Sequence, residues 1–119
     1  MEYKDGLDMA EDPEVYPPSE DSILLTESLD IRIGEKVLEI GTGSGIVSIQ
    51  CALNGADVGC GDISPRVVAL ARRNAAANGV DIDVRETDVY SNIEGRFDTI
   101  VFNLPYLPVE DEGELAKAW

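Results

Sequence analysis

Apolar and polar positions change their period several times along this chain, and these changes divide it into strands and helices. Short apolar runs predict four β-strands, at residues 37–41, 57–61, 82–85 and 97–102. Longer stretches with an apolar face predict three helices, one beginning at Ser19, one over residues 44–54, and one from Ser64-Pro65 to Asn78-Gly79. The breaks between them carry the Gly, Pro, Asn and Asp residues that end helices and form turns.

The order of these elements predicts an α/β fold. After the first helix the chain reads strand, helix, strand, helix, strand, strand, which is typical of a parallel, doubly wound sheet. Right-handed crossovers then give the strand order 3-2-1-4. Ligands of such sheets lie beyond the carboxyl ends of the strands, where the strand order reverses. Residues 41–45, Asp62, Asp88 and residues 103–106 all follow strands and should meet there.

The first residues of the chain carry no such pattern. Residues 1–14 are acidic and show no period, and Pro13, Pro17 and Pro18 favour extended backbone. We therefore expect a flexible N-terminal segment over residues 1–14, followed by a single folded domain over residues 15–119.

The composition fits one globular domain, with 44% hydrophobic residues in 119. The formal net charge of −15 repels phosphate backbones, which disfavours nucleic acid as a partner, although it also fits general solubility. We expect no membrane span and no secretory signal. Cys51 and Cys60 fall inside predicted elements, which indicates reduced core cysteines of a cytoplasmic protein. The sequence has no histidine, so we expect no metal site.

The glycine-rich turn at residues 41–45 carries the clearest chemical signal. Its glycines allow positive φ and close approach of a ligand, and the following helix points unpaired N–H groups into the turn. The dinucleotide fingerprint needs a small residue where this chain has Ile46, and a Walker loop needs a Gly-Lys pair that is absent. A strand-to-helix turn without any ligand is the plain alternative.

The glycine turn together with the preceding acid resembles motif I of the class I S-adenosylmethionine (SAM) methyltransferases. The resemblance implies a Rossmann-like sheet, of which this chain lacks the remaining C-terminal strands, and it implies SAM as the cofactor. It assigns cofactor binding to Glu39, Gly41, Thr42, Gly43 and Gly45.

Two acidic residues after later strands extend the expected cofactor site. Asp62 ends strand 2 roughly twenty residues beyond the glycine turn, where an acid can accept both ribose hydroxyls, and Ile63 would flank the adenine. Asp88 follows strand 3 and would accept a hydrogen bond from the adenine amino group, with Val89 packing on the ring. The plain alternatives are a helix N-cap for Asp62 and a turn residue for Asp88.

Asn103-Leu104-Pro105-Tyr106 follows strand 4 and resembles the [Asn/Asp]-Pro-Pro-[Tyr/Phe] signature of methyltransferases that act on planar nitrogens. An amide nitrogen is a poor nucleophile because its lone pair is delocalised. The side-chain oxygen of Asn103 and the carbonyl of Leu104 can hold it, while the Tyr106 ring packs on the planar group, so orientation and electrostatics carry the reaction. Pro105 completes the signature. The plain alternative is a strand-to-loop turn with proline.

Residues 15–22 resemble the Tyr-x-Pro-x-Glu-Asp-[Ser/Thr] lead-in of the HemK-like glutamine methyltransferases. The most similar branch is the archaeal and eukaryotic one, which modifies the Gly-Gly-Gln motif of peptide release factors. In that family the segment lies over the cofactor, which implies that Tyr16, Pro18, Glu20 and Asp21 are pocket residues. A capped surface helix accounts for the two acids equally well.

The chain departs from this family at two points. Leu104 replaces the usual first proline, which keeps the carbonyl but loses the rigidity of Pro-Pro. The chain also stops at Trp119, where a full class I domain continues through another helix and three strands. We therefore expect a fragment or truncated product that self-associates through the exposed edge of strand 4 or binds a partner. The resemblance also implies a small zinc-binding activator subunit.

Three functions remain open. The leading hypothesis is a SAM-dependent N-methyltransferase that acts on a glutamine side-chain amide in a protein such as a release factor. An adenine or guanine N-methyltransferase of nucleic acid shares the tetrapeptide, but the charge of −15 disfavours it. The third is a SAM-binding but inactive module that serves a partner, which would bind the cofactor without turnover.

Overall fold

The structure is a computed structural model that describes residues 1–88 and 95–103. Within them the elements follow the predicted order. They are α1 (Glu20–Ser28), β1 (Lys36–Ile40), α2 (Ile46–Leu53), β2 (Asp57–Asp62), α3 (Pro65–Ala77), β3 (Asp83–Glu86) and β4 (Thr99–Phe102). Four residues that the sequence proposed for the site, Val89, Leu104, Pro105 and Tyr106, lie outside the described residues.

The strands form one parallel sheet in the order β3-β2-β1-β4, which confirms the predicted topology. Ile40 at the end of β1 lies beside Gly61 of β2 and Phe102 of β4. Backbone bonds continue past the strand ends, since the N–H groups of Gly41 and Asn103 donate to the carbonyls of Gly61 and Ile40, each at 2.9 Å. These bonds keep the segments that follow the strands side by side at the same edge of the sheet.

The main core lies between the sheet and α2, where Val37, Val47, Val58 and Val101 pack in one cluster. Gly45 precedes α2 with φ of 89°, a left-handed conformation that a helix cannot contain. The helix therefore begins at Ile46, two residues later than predicted.

α3 packs on β2 and β3 and closes a second cluster around Val68 and Val84. Ser64 caps this helix, because its Oγ accepts the N–H of Val67, and Pro65 occupies the first turn as predicted. Asn78 and a left-handed Gly79 follow its last turn, where the sequence placed the stop.

The N-terminal segment, residues 1–14, forms neither helix nor strand, but it lies along α2 and α3. Three carboxamide side chains each accept the N–H and donate to the carbonyl of one residue in this segment. The pairs are Gln50 with Lys4, Asn78 with Asp8, and Asn74 with Ala10. No sequence pattern pointed to these contacts, and the flexibility expected for the segment stays a prediction.

Both cysteines are buried free thiols, as the sequence predicted. Burial raises the pKa of Cys51 and of Cys60 to about 12. Over residues 1–88 and 95–103, no helix has the length and apolar character needed to cross a bilayer.

Candidate functional site

A cavity of about 530 Å³ lies at the carboxyl ends of the strands, where the sheet order reverses. This volume is typical of small-molecule sites. Its walls come from the chain before α1, the turn after β1, the segments after β2 and β3, and the residue after β4. The lining residues are Glu14, Val15, Tyr16, Pro17, Ile40, Gly41, Thr42, Gly43, Ser44, Ile46, Asp62, Ile63, Ser64, Val67, Thr87, Asp88 and Asn103.

The turn after β1 supplies a wall made mostly of backbone. Gly41 and Gly43 line it with φ of 79° and 57°. A Cβ added at Gly43 would have no atom of the described residues within 4 Å, so the space beside it is open to a ligand. Thr42 also lines the cavity, although its side chain is buried and its hydroxyl donates to Glu39.

Gly45, the third glycine of the motif, is not part of the cavity wall. A Cβ at this position would lie 3.3 Å from the Cβ of Ala71 on α3. Its carbonyl accepts the N–H of Ile49 at 2.9 Å, which starts the bonding of α2. The small size of Gly45 therefore serves the close approach of α2 and α3, and its expected contact with a cofactor stays a prediction.

Asp62 stands at the end of β2 and lines the cavity together with Ile63. Its Oδ1 accepts the N–H of Ser64 at 3.0 Å, while no described residue donates to its Oδ2. The carboxylate thus orients the chain just before α3, but Ser64 and not Asp62 is the N-cap, so the plain alternative is wrong in its detail. Asp62 still presents an acceptor beside the cavity. Ile63 is 69% exposed and offers an apolar surface at the rim.

The segment after β3 reaches the same cavity through Thr87 and Asp88. The Thr87 N–H donates to the carbonyl of Asp62 at 2.9 Å, which fixes the two segments against each other. Asp88 was a predicted site residue, whereas Thr87 was missed. The sequence also missed Ile40, Ile46 and Val67 as lining residues. The first two adjoin the glycine turn, which was an available signal, and Val67 had none.

Glu39 does not line the cavity but lies beneath it, with 1% of its surface exposed. Its Oε1 accepts the hydroxyls of Thr42 at 2.7 Å and Ser48 at 2.6 Å. Its Oε2 accepts Nδ2 of Asn103 at 3.0 Å. Burial raises the pKa of Glu39 to about 7, while the hydrogen bonds from these three groups act to lower it. The expected cofactor ligand is therefore a buried connection between the glycine turn, α2 and the end of β4.

Asn103 lines the cavity from the end of β4. Its backbone N–H bonds to Ile40, and its side-chain Nδ2 bonds to Glu39. Since Nδ2 is engaged below the cavity, Oδ1 is the amide atom left for a ligand. The other three residues of the tetrapeptide lie outside the described part of the chain.

The chain before α1 covers one side of the cavity, as the resemblance implied for part of it. Tyr16 lines the cavity while 61% exposed. Pro18 lines a neighbouring cavity of about 300 Å³ instead. Glu20 and Asp21 line neither and are exposed on the first turn of α1, so the surface-helix alternative describes them better. The N-terminal segment just before the lead-in is held to α3 by Arg66, whose Nε lies 2.6 Å from Oδ2 of Asp12.

Acidic groups dominate the charge of the cavity wall. Glu14, Asp62 and Asp88 line it, and no Lys or Arg of residues 1–88 and 95–103 does. Anionic phosphates would be repelled here, whereas cationic groups and hydroxyl donors would be held. The wall therefore disfavours a dinucleotide and suits a ligand with a positive charge.

Comparison with known proteins gives one family match. The model of the methyltransferase small domain family matches residues 15–117. A protein of Methanocaldococcus jannaschii, provisionally named protein N5-glutamine methyltransferase, is 46% identical over 112 residues, which cover 93% of this chain and 57% of that protein. The release factor glutamine methyltransferase of Streptococcus pneumoniae is 39% identical over 95 residues, which cover 78% of this chain and 33% of that protein.

A solved structure of similar fold is the 16S rRNA N2 methyltransferase of T. thermophilus, determined with AdoMet and guanosine. It superposes with a TM-score of 0.71 at 28% identity, covering 80% of this chain and 28% of that one. The chain thus spans between about a quarter and somewhat over half of the length of these three proteins.

Proposed function

The chain belongs to the methyltransferase small domain family, and on that basis we propose that it binds SAM in the cavity and methylates the side-chain amide nitrogen of a glutamine in a protein. One observation carries the proposal: the glycine turn, Asp62 and Asn103 come from three strand ends and line one cavity. The named relatives that act on glutamine favour the Gly-Gly-Gln motif of a release factor as the target.

The cavity fits this cofactor in shape and charge. The open space beside Gly43 admits a ligand against the backbone, and Asp62 Oδ2 is an acceptor for ribose hydroxyls. Ile63 offers an apolar surface for the adenine, with Asp88 beside the same cavity. The acidic wall suits the cationic sulfonium and ammonium groups, and it contains no phosphate-binding cation among the described residues.

The reaction requires little acid–base catalysis by the protein before the methyl group is transferred. When bound, SAM supplies an electrophilic methyl group. Asn103 Oδ1 accepts an N–H of the target amide and holds its nitrogen in one orientation. By resemblance, the carbonyl of Leu104 accepts the second N–H, and Pro105 and Tyr106 shape the place where the planar group lies.

Calorimetric titration of S-adenosylhomocysteine into the 119-residue chain tests the cofactor site. We expect saturable binding that Asp62→Ala weakens by about tenfold or more, because an acceptor for two hydroxyls is lost. Asp57→Ala is the matched control, since it removes the same charge from the exposed opposite end of β2 and should leave binding unchanged. Absence of binding in a chain that circular dichroism shows to be folded, or equal binding by Asp62→Ala, would contradict the proposal.

The substrate is tested separately with radiolabelled SAM. A peptide that contains Gly-Gly-Gln should be methylated, and the matched Gly-Gly-Glu peptide should not, because a carboxylate has no N–H to offer Asn103. Methylation of an RNA oligonucleotide instead would favour the second candidate, a nucleic-acid N-methyltransferase. The rRNA enzyme of similar fold supports that candidate, whereas the net charge of −15 opposes it. Cofactor binding with no turnover on either substrate would favour an inactive module.

The outer side of β4 offers a surface for partners other than the substrate. Val101 packs in the core with α2, so strand alternation places Ile100 and Phe102 on the opposite face, where they are 45% and 51% exposed. We propose self-association or a small zinc-binding subunit at this side of β4. Light scattering of the purified chain, alone and after co-expression with such a subunit, tests this; a monomer in both samples would contradict it.

A further inference from the structure

Glu39 and Asn103 join two parts of the site that lie 64 residues apart in the sequence. Three side-chain donors converge on one buried carboxylate, the hydroxyls of Thr42 and Ser48 on Oε1 and the amide of Asn103 on Oε2. Thr42 and Asn103 also line the cavity, whereas Glu39 does not. The carboxylate therefore acts on the cavity through its neighbours and not by touching a ligand.

An ionised carboxylate can only accept hydrogen bonds. A side-chain amide that faces it has to present its N–H₂ group, and its oxygen then lies on the other branch of the same planar group. We propose that Glu39 is a positioning residue, which orients the amide of Asn103 so that Oδ1 is offered to the cavity and ligands bearing an N–H donor are selected there. The identity of that ligand rests on the proposed function, but the Glu39–Asn103 coupling does not.

Protonation of Glu39 removes this constraint. A neutral carboxyl group carries one O–H donor, and Asn103 can then turn and accept it through Oδ1, which would leave Nδ2 facing the cavity. Among the described residues, the titratable groups whose pKa responds to the charge of Glu39 are Cys51 on α2 and Cys60 on β2, and burial keeps both thiols protonated near neutral pH. Thr42, Ser48 and Asn103, which bond the carboxylate directly, do not titrate.

Glu39→Gln is the informative change because it preserves the volume of the buried side chain. The backbone N–H of Ser48 also bonds the carboxylate and can only donate, so the oxygen of the new side chain stays with Ser48. Its N–H₂ group then faces Asn103, which has to turn its own oxygen inward. The variant should therefore offer a donor to the cavity where the wild type offers an acceptor.

The coupling is tested directly by NMR of the wild-type chain. The side-chain N–H₂ signals of Asn103 should shift between about pH 5 and about pH 8 with the same midpoint as the carboxyl carbon of Glu39. Glu39→Gln should abolish this shift. The control Glu35→Gln should retain the shift of the Asn103 signals. It removes a carboxylate at the other end of the β1–β4 pair, where Glu35 accepts the hydroxyl of Thr99 at 2.7 Å. Asn103 signals that are independent of pH in the folded wild type would overturn the inference, even if the variant does not fold.

Kinetics distinguish positioning from a merely structural role. With the Gly-Gly-Gln peptide, Glu39→Gln should lower kcat by about tenfold to a hundredfold, while the Kd for S-adenosylhomocysteine changes less than about threefold. The rise of wild-type kcat through the Glu39 titration should be absent in the variant. Equal kcat and the same pH profile in both proteins would overturn the inference. If the wild type binds no cofactor, the proposed function fails, and the NMR titration still decides the coupling.

Discussion

The carboxamide of Asn74 on α3 forms two hydrogen bonds with the backbone of Ala10 in the N-terminal segment. Its Oδ1 accepts the Ala10 N–H at 2.7 Å, and its Nδ2 donates to the Ala10 carbonyl at 3.2 Å. The same Nδ2 donates to the carbonyl of Ser44 in the glycine turn at 2.9 Å, and the side chain is fully buried. One side chain thus supports both the N-terminal segment and a wall of the cavity.

Asn74→Ala should lower the free energy of unfolding by about 2–3 kcal/mol, because it leaves backbone groups of Ala10 and Ser44 without partners. It should also speed amide hydrogen exchange at Ala10 more than in the sheet. Urea unfolding and exchange measured by NMR check the two effects. Arg73→Ala, at the exposed neighbouring position, is the control. A similar loss of stability in both variants would count against a role for the Asn74 hydrogen bonds.

Gly61 in β2 has no room for a side chain. A Cβ there would lie 2.3 Å from Cγ2 of Thr87 and 3.3 Å from the carbonyl oxygen of Arg85. Gly61→Ala should cost about 1–3 kcal/mol of stability through this overlap. Adding Thr87→Ser, which deletes Cγ2 and keeps the hydroxyl, should restore a large part of it. Thermal and urea unfolding of Gly61→Ala, of the double variant and of Thr87→Ser alone check this. If Thr87→Ser restores no stability to Gly61→Ala, the overlap with Thr87 is not the cause of the loss.

Alanine substitutions at Gly43 and Gly45 should have different effects, mainly on ligand binding at Gly43 and mainly on stability at Gly45. Both have positive φ, so alanine is strained at each by about 1–2 kcal/mol. At Gly45 the methyl group also presses on Ala71, so Gly45→Ala should be the less stable variant. At Gly43 the methyl group enters open space beside the cavity, so Gly43→Ala should bind S-adenosylhomocysteine about tenfold or more weakly while remaining folded. Calorimetry and urea unfolding of Gly43→Ala and Gly45→Ala test this. A Gly43→Ala variant that is the less stable of the two and binds the ligand normally would contradict it.

Ionisation of Glu39 should destabilise the folded chain. Its pKa is about 7 in the folded state, whereas the ordinary pKa of a glutamate is 4.5, so between these values the folded chain keeps a proton that the unfolded chain has lost. Stability then falls as pH rises through this window. Relative to Glu39→Gln, the wild type should lose about 2–3 kcal/mol between about pH 5 and about pH 8. Urea unfolding at both pH values measures it. A difference in stability between the wild type and Glu39→Gln that does not change with pH would refute the prediction.

The two thiols should be inert in the folded chain. The pKa of Cys51 and of Cys60 is raised to about 12 by burial, and only a thiolate attacks iodoacetamide readily. Mass spectrometry near pH 8 should show no labelling in buffer and double labelling above the urea midpoint. Ser28→Cys, at an exposed position at the end of α1, should be labelled without urea and confirms that the reagent is active. Rapid native labelling of Cys51 or Cys60 would show that their burial is only transient.

Much of the fold followed from local patterns. The strand and helix positions, the parallel order 3-2-1-4 and the meeting of the glycine turn with Asp62, Asp88 and Asn103 were predictable, because period, turn residues and crossover handedness are properties of neighbouring residues and of chain chirality. Errors were small at the element ends, as at Ile46, where the left-handed Gly45 delays the helix.

The tertiary structure decided which way the key side chains face. A motif cannot say that Glu39 is buried beneath the cavity, that Gly45 makes room for Ala71, or that Asn74 holds Ala10, because each depends on partners brought together only in the folded chain. The sequence by itself determined the positions of the chemical groups along the strands. Packing between distant segments determined which of them reach the cavity and which support it, since a buried polar group has to find its partner wherever the fold places one.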